Sequence, residues 1–153
     1  MDYEIIKKPT FRVVGMQVQT TMKDGKHAKD CPMIWTKFMP RVKEIKNLQP
    51  RVCYGLCIMT SELDFNYIAG VESNDQIPDE MIETKIPESE YIKTTHKGQV
   101  STIGKTWELL MSKMLPESGR KGDMMGVSFE YYGEKYKDDE TNETDIYFPL
   151  IKV

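Results

Sequence analysis

The chain has 153 residues, with Lys+Arg 21 against Asp+Glu 24, so its formal charge is −3. This length fits one domain with a real core, and 39% hydrophobic with 29% charged residues excludes a disordered chain or a fibre. No apolar run approaches the roughly 20 residues of a membrane span, and the mild acidity argues against general nucleic-acid binding, which needs a basic surface.

The N-terminus and the cysteines predict a cytoplasmic protein. The opening residues lack the basic-then-apolar order of a secretory signal. The 3 cysteines form no Cys-x-x-Cys pair, so a disulfide framework is not expected. The 11 methionines and 8 tyrosines are typical both of cores and of pockets that accept varied apolar ligands.

The first half of the chain is predicted to contain a strand, a helix and a hairpin. Residues 11–21 are rich in β-branched side chains and predict a strand, and the polar stretch 22–30 predicts a loop. From 33 to 45, apolar residues recur every three to four positions, which predicts an amphipathic helix that Pro40 kinks or splits. The predicted hairpin strands are 52–60 and 65–71.

The second half repeats this order after a polar loop at 73–80. Residues 91–97 predict a strand, and the apolar stripe of 103–114 predicts a helix that ends around Pro116 and Gly119. Two further predicted strands, 125–132 and 144–153, flank a charged turn at 135–142.

Both halves therefore have the order strand–helix–strand–strand, and we expect one domain over 1–153 made of two repeats, about 3–75 and 80–153. The match of 54–59 with 125–130, and of Tyr67-Ile68 with Tyr147-Phe148, supports the repeat. The predicted fold class is α+β, a pseudo-twofold tandem repeat with one antiparallel sheet, both helices on one face and a ligand cleft on the other.

Strand alternation divides the side chains between two faces. We expect the apolar set with Phe129, Ile146 and Phe148 to pack under the helices. The opposite face is predicted to form the wall of a cavity, because its residues are too apolar for open surface and too polar for a core. These residues are Ser128, Glu130, Tyr132, Tyr147, Cys57, Met59 and Tyr67.

Four segments in order carry a family resemblance over residues 3–152. They are DFNYIAGV at 64–71, LPESG at 115–119, FEYY at 129–132 and TDIYFPL at 144–150. In this order and spacing the chain resembles the GyrI-like small-molecule-binding domain, also called the AraC-type effector-binding domain. The resemblance implies a cleft for small, often cationic and lipophilic ligands, with Glu130 as the pocket carboxylate and Tyr147 as a pocket aromatic. The family often has Trp-Leu-Pro where this chain has Met114-Leu115-Pro116, which changes the shape of the pocket.

The residues themselves leave alternatives open. Glu130 can serve as the counter-charge of a cation, with aromatic faces adding about 0.5–2 kcal/mol each, or it can be an exposed glutamate of an edge strand. Trp35 and Trp107 can pack in the core or wall the cleft. We assign no catalytic residue, metal ligand or cofactor, because the 2 histidines have no partners at metal-ligand spacing. The candidate ligand-binding residues are Glu130, Tyr147, Trp107, Tyr67, Tyr132, Trp35, Met59 and Ser128.

These observations favour a stand-alone binding domain of the multidrug type, acting as an effector sensor, a transcription-regulation accessory or a ligand-sequestering protein. Relatives usually follow DNA-binding helices, for which no residues remain here, so we expect no direct nucleic-acid or membrane contact and a possible protein partner such as a regulator or gyrase. One alternative is a hydrolase that opens strained cyclopropane compounds with Glu130 and Tyr147; another is a gyrase-inhibitor-like interaction module. An enzyme would consume its ligand, whereas a binding domain would return it unchanged, so a turnover assay distinguishes these classes.

Overall fold

The computed structural model, which describes residues 2–153, is an α+β fold built on one eight-stranded sheet. All neighbouring strands in the sheet are antiparallel. The strands are β1 (Tyr3–Lys8), β2 (Phe11–Thr21), β3 (Cys53–Met59), β4 (Asp64–Glu72), β5 (Ile82–Ile86), β6 (Ser89–Lys97), β7 (Val127–Tyr132) and β8 (Glu143–Pro149).

Two helical segments connect these strands. The first is α1 (His27–Phe38), which continues as a 3-10 helix over Met39–Glu44 with Pro40 in its first turn. The second is α2 (Ile103–Leu109), which passes through a π-helical turn over Leu110–Met114 into the short α3 (Leu115–Ser118). Within the described chain, no helix is long and apolar enough to cross a membrane.

The strand order shows the internal symmetry directly. Across the sheet the order is β1-β6-β8-β7-β3-β4-β2-β5. Exchanging β1–β4 with β5–β8 gives the same order read from the other edge, as a twofold axis between β3 and β7 requires. The predicted α+β fold, with its tandem repeat, antiparallel sheet and two helices on one face, is confirmed.

The sheet curls until its two edges approach each other. Although β1 and β2 stand near opposite ends of the strand order, only Pro9 and Thr10 join them, and two residues span less than about 10 Å. At the meeting of the edges, the Glu88 backbone N–H donates to Thr10 Oγ1 (3.1 Å). The inner face of the curl is therefore covered by the sheet itself.

An aromatic cluster fills this inner face. Phe129 is fully buried there and stacks on Tyr147, with ring centroids 4.5 Å apart. The Lys8 ammonium lies 5.0–5.8 Å from the centroids of four rings, those of Phe11, Phe129, Tyr131 and Tyr147. Burial lowers the pKa of Lys8, and the ring faces compensate the cation electrostatically.

We expect the Lys8→Met variant to be less stable than the wild type. Methionine keeps the apolar stem but removes the cation–π attraction, worth about 1 kcal/mol, and lowers the melting temperature by roughly 2–4 °C. Lys8→Arg, which keeps the charge over the rings, should retain most of the stability. Lys7→Met at the exposed neighbouring position is the control in calorimetric melting. An unchanged melting temperature for Lys8→Met contradicts a stabilising contact between Lys8 and the four rings.

The structure differs from the sequence predictions in the start of the first helix and in two additional short strands. The first helix begins at His27 rather than at residue 33, because its first turn is polar and carries no apolar period. Asp30 anchors that turn, since its Oδ2 accepts a hydrogen bond from the buried Thr20 hydroxyl (2.8 Å). The short strands β1 and β5 were not predicted; each lies at a sheet edge and is rich in charge, so its pattern is weak.

Candidate ligand-binding site

Glu130 lies at the centre of the sheet, on the face that the helices cover. It stands in β7 opposite Gly55 of β3 and Ile146 of β8. Gly55 leaves the space through which the Tyr67 side chain of β4 reaches the carboxylate. A Cβ added at Gly55 would lie 2.9 Å from Glu130 Oε1 and in still closer conflict with the Tyr67 hydroxyl.

Three neutral donors bind the Glu130 carboxylate. Oε1 accepts hydrogen bonds from the hydroxyls of Tyr132 (2.6 Å) and Tyr67 (3.0 Å). Oε2 accepts one from Trp107 Nε1 (3.0 Å). The indole N–H can only donate, and the Tyr67 hydroxyl already accepts from Trp35 Nε1 (2.8 Å), so its own proton points to Glu130. Both carboxylate oxygens therefore act as acceptors in this site.

The two helices reach the same carboxylate from the two repeats. α1 contributes Trp35, which acts through Tyr67, and α2 contributes Trp107, which binds directly. Trp35 also packs edge-on against Tyr132, with ring centroids 5.4 Å apart. The carboxylate is therefore linked to both helices, directly to α2 and through Tyr67 to α1.

The carboxylate has no positive partner in this site. Glu130 is only 7% exposed, and none of the ion pairs formed within residues 2–153 includes it. An isolated buried charge is costly, and the three neutral donors offset only part of that cost. The site is thus a negative centre enclosed by aromatic rings.

Burial and the Glu130 charge set the protonation of the surrounding groups. The pKa values of the Tyr67 and Tyr132 hydroxyls are raised well above the ordinary range, first by burial and then by the nearby carboxylate. Both hydroxyls therefore remain protonated donors. The same two causes raise the pKa of the Cys57 thiol strongly and that of Cys31 to about 12. Neither thiol is an activated nucleophile.

The structure brings most of the predicted site residues together. Glu130, Tyr67, Tyr132, Trp35 and Trp107 form one hydrogen-bonded and packed group. Two further predicted residues lie on the same face of the sheet. They are Ser128, which pairs with Cys57, and Met59, at the end of β3.

Tyr147 is the exception, and the expectation about the sheet faces is corrected with it. Tyr147 pairs with Phe129, so both point to the inner face, away from Glu130. The helices cover the Glu130 face, while Phe129 does not pack beneath them as expected. Ile146 and Phe148 were assigned correctly and pack with Leu110 and Met114 of the second helical segment. The candidate site lies between the helices and the sheet, rather than on the far face.

Sequence reasoning missed the role of Gly55. A glycine within a β-rich run was a usable signal, because it often marks a close approach of another group. Tyr136 was also missed; its ring packs edge-on against Tyr132, with centroids 5.3 Å apart, at the outer side of the site. It lines a surface groove of about 590 Å³ together with Arg51, Gly133 and Glu134. Glu130 does not reach this groove.

The fold and the family of the chain agree. The structure is a curled, twofold-repeated sheet with a carboxylate and aromatic rings under two helices. The chain belongs to the GyrI-like small molecule binding domain family, whose model matches residues 1–151. The recognition made from the sequence is confirmed.

Individual relatives extend this comparison. The transcriptional regulator BrlR of Pseudomonas aeruginosa is 30% identical over 155 residues, which cover 98% of this chain and 56% of the regulator. The chain thus spans about half the length of this relative. The family relation is to the effector domains of transcription regulators.

Two solved structures share the fold. SAV2435 bound to tetraphenylphosphonium has a TM-score of 0.77 at 17% identity and covers 99% of this chain and 94% of its own. EcmrR in a DNA complex has a TM-score of 0.68 at 19% identity and covers 99% of this chain but 58% of its own. At these identities the likeness shows the fold alone.

Proposed function

We propose that this chain binds lipophilic organic cations at Glu130 and serves as an effector sensor or a ligand-sequestering domain. The single observation that carries the proposal is the buried Glu130 carboxylate, which receives three neutral donors and no cation from the described residues. A cationic ligand supplies the missing charge. The relative bound to tetraphenylphosphonium supports this ligand class.

Electrostatics favour a cation over a neutral ligand of the same shape. A charge pair at 4 Å is worth about 4 kcal/mol at an effective dielectric near 20. Trp107 and Tyr132 bind the carboxylate, and Trp35 packs against Tyr132; a ring face that meets the cation adds about 0.5–2 kcal/mol to its attraction. A delocalised, weakly hydrated cation gains most, because it loses little hydration on entry.

The regulatory part of the proposal concerns partners. We propose that the chain transmits ligand binding through a protein partner such as a regulator or gyrase, without direct nucleic-acid contact. Its formal charge of −3 provides no generally basic surface. The two proposed repeats, 3–75 and 80–153, form a single domain in this view.

The geometry weakens the hydrolase alternative in its specific form. Glu130 and Tyr147 lie on opposite faces of the sheet, so one ligand cannot contact both as an acid–base pair. The proposal therefore assigns binding without turnover, and recovery of the ligand unchanged after prolonged incubation supports it.

We expect methyltriphenylphosphonium to stabilise the wild type and triphenylphosphine oxide, a neutral compound of similar shape, to do so much less. At roughly 100 times its dissociation constant a ligand adds about 2.7 kcal/mol, a melting shift of roughly 5–11 °C. Glu130→Gln should lose most of the cation shift, because it keeps the shape and removes the charge. Calorimetric melting and isothermal titration measure both.

The control variant is Glu62→Gln, which removes one negative charge in the exposed turn between β3 and β4. It should behave as the wild type. Equal cation shifts for Glu130→Gln and the wild type would show that Glu130 is not the counter-charge. Absence of any cation shift in the wild type would reject the proposed ligand class.

A further inference from the structure

The sheet has a free edge along the second half of β2. On the side away from β4, β5 pairs only with Phe11–Gly15, whereas β4 accompanies β2 as far as Thr21. In the described part of the chain, no further strand pairs with β2. A surface groove of about 400 Å³, lined by Gln19, Thr21 and Lys26 among others, borders the end of this edge. The backbone of residues 17–21 is therefore open to pairing on that side.

The direction of the backbone groups follows from bonds at the two ends of β2. The Ser73 N–H donates to the Arg12 carbonyl (3.2 Å). The Met22 N–H donates to the Leu63 carbonyl (2.8 Å). Both bonds lie on the β4 side, so even-numbered residues of β2 point their N–H and C=O groups to β4, and odd-numbered residues point them to the opposite side. The residues that present these groups at the free edge are Gln17, Gln19 and Thr21.

Charge protects the other free edges of the sheet, but not this one. Residues 16–22 read MQVQTTM and carry no charge, in a chain of which 29% is charged. The edge strands β1 (YEIIKK) and β5 (IETKI) each carry charges of both signs. In β6, the strand equivalent to β2, the free part covers only 95–97 and ends at the exposed Lys97. Charged side chains discourage pairing between edges, so the edge of β2 is the best suited to accept a strand.

We propose that this edge pairs with the same edge of a second copy of the chain, antiparallel and about a twofold axis at Gln19. The outward residues define the register. Gln19 lies opposite Gln19 of the second copy, and Gln17 lies opposite Thr21 of the second copy. This register uses every outward position from 17 to 21. A shift by two residues toward the N-terminus would require Gly15, which already pairs with Ile82.

The side chains that meet in this register are compatible. Gln19 is exposed and faces its own counterpart at the axis. Val18 lies opposite Thr20 of the second copy, and Met22, 44% exposed in one copy, comes beside Met16 of the other. A twofold contact places each residue near the axis against its own copy, so a charge there would meet a like charge. The uncharged segment avoids this repulsion.

Charge complementarity beyond the paired strands supports the same occupant. Because β5 begins opposite Gly15 on the same edge, the turn after β2 of one copy meets the segment before β5 of the other. The turn at 23–26 carries two lysines and one aspartate, and the segment before β5 carries Asp79 and Glu80. Both lysines and both acidic residues are exposed. The twofold axis forms this contact between opposite charges twice.

The contact is small, so the association should be weak and reversible. The paired strands contribute five residues from each copy, residues 17–21, whereas a standard stable interface has about 20–30 residues a side. We therefore expect a dimer that fills as the protein concentration rises, rather than a permanent one.

Amide hydrogen exchange of the full chain, labelled with nitrogen-15, tests the edge residue by residue. As the concentration rises, the N–H groups of Gln17, Gln19 and Thr21 should exchange more slowly. Those of Val18 and Thr20, which point to β4 in either state, should not change. Sedimentation equilibrium over the same concentrations should show the mass rising toward that of two chains. A chain that stays monomeric at every concentration overturns the proposal, whether the edge then stays open or takes a strand of another protein. A dimer whose outward amides remain unprotected also overturns it.

Gln19→Pro tests the hydrogen bonds at the axis. It removes both of them, one from each copy, and a strand edge with an outward N–H is a place where proline is tolerated. The dissociation constant of the dimer should rise about 30-fold. Lys97→Pro is the matched control, because the β1–β6 and β5–β2 registers make Lys97 the equivalent of Gln19, and it should leave the dissociation constant unchanged. A dimer that is equally strong in Gln19→Pro lies elsewhere on the surface and overturns the proposal.

Gln19→Lys and Gln19→Glu test the register through an exposed side chain and leave the backbone N–H in place. Each variant alone puts like charges opposite each other at the axis and should weaken self-association by about fivefold. An equimolar mixture of the two should associate at least as tightly as the wild type, because opposite charges then face each other. Sedimentation of the mixture and of its components measures this difference. A mixture that associates no better than its components overturns the proposed register, even where Gln19→Pro fails to fold.

Discussion

Replacing Gly55 with alanine is expected to destabilise the protein and to abolish cation binding together. The new Cβ would lie 2.9 Å from Glu130 Oε1 and would collide with the Tyr67 hydroxyl. Overpacking of this kind costs about 1–3 kcal/mol, which lowers the melting temperature of a domain this size by roughly 2–12 °C. Displacement of Tyr67 also breaks its bonds to Glu130 and to Trp35.

Gly104→Ala is the matched control for this substitution. Gly104 lies in α2, is exposed, and has no atom within 4 Å of an added Cβ. Alanine there should leave stability unchanged or raise it by about 0.5–1 kcal/mol, because glycine is unfavourable inside a helix. Titration calorimetry and thermal melting of both variants are sufficient. A Gly55→Ala protein that melts and binds as the wild type does would show that the sheet absorbs the new methyl group.

Much of the fold follows from patterns that the sequence shows on its own. The strand β2 and the hairpin of β3 and β4 were predicted within one or two residues, since their β-branched runs are bounded by polar turns. The curl of the sheet was not predictable in this way. It depends on which strands pair across the two repeats, with β1 joining β6 and β5 joining β2.

The candidate site shows where pattern reasoning ends. Alternation within β7 correctly separated Glu130 from Phe129. The relation of β7 to β8 requires the register between them, and a shift of one residue moves a side chain to the other face. Tyr147 pairs with Phe129 rather than with Glu130, so the apparent repeat of Tyr67 and Tyr147 placed it on the wrong side. The sequence also could not indicate which face the helices cover.

At alkaline pH the protein is expected to unfold in one cooperative step that coincides with ionisation of its buried tyrosines. Burial raises the pKa of Tyr91 to about 12, and it raises the pKa values of Tyr54, Tyr67 and Tyr147 as well. All four are at most 5% exposed. Their ordinary pKa is 10.0, so above that pH the unfolded chain loses protons that the folded protein retains.

The direction of the effect follows from proton linkage. Where the unfolded state binds fewer protons, the free energy of unfolding falls as pH rises, by up to about 1.4 kcal/mol per pH unit for each group. Four such tyrosines give about 5 kcal/mol per pH unit, against a total stability of about 5–15 kcal/mol. The thiols of Cys31 and Cys57 add to the loss from their ordinary pKa of 9.0 upward.

Parallel measurement of tyrosinate absorbance and far-ultraviolet circular dichroism along a pH titration tests this expectation. After exposed hydroxyls such as that of Tyr136 have ionised, the remaining tyrosinate absorbance and the dichroism should change together between about pH 10 and 12, since the buried hydroxyls ionise only as the chain unfolds. Tyr91→Phe keeps the ring and removes one buried ionisation, so its midpoint should lie at higher pH than the wild type. Tyr136→Phe removes a hydroxyl from a side chain that is 37% exposed, and its midpoint should move less. Ionisation of all 8 tyrosines with an unchanged dichroism spectrum would mean that the hydroxyls around Glu130 and on the inner face are reached by solvent in the folded protein, because only then can they ionise without unfolding.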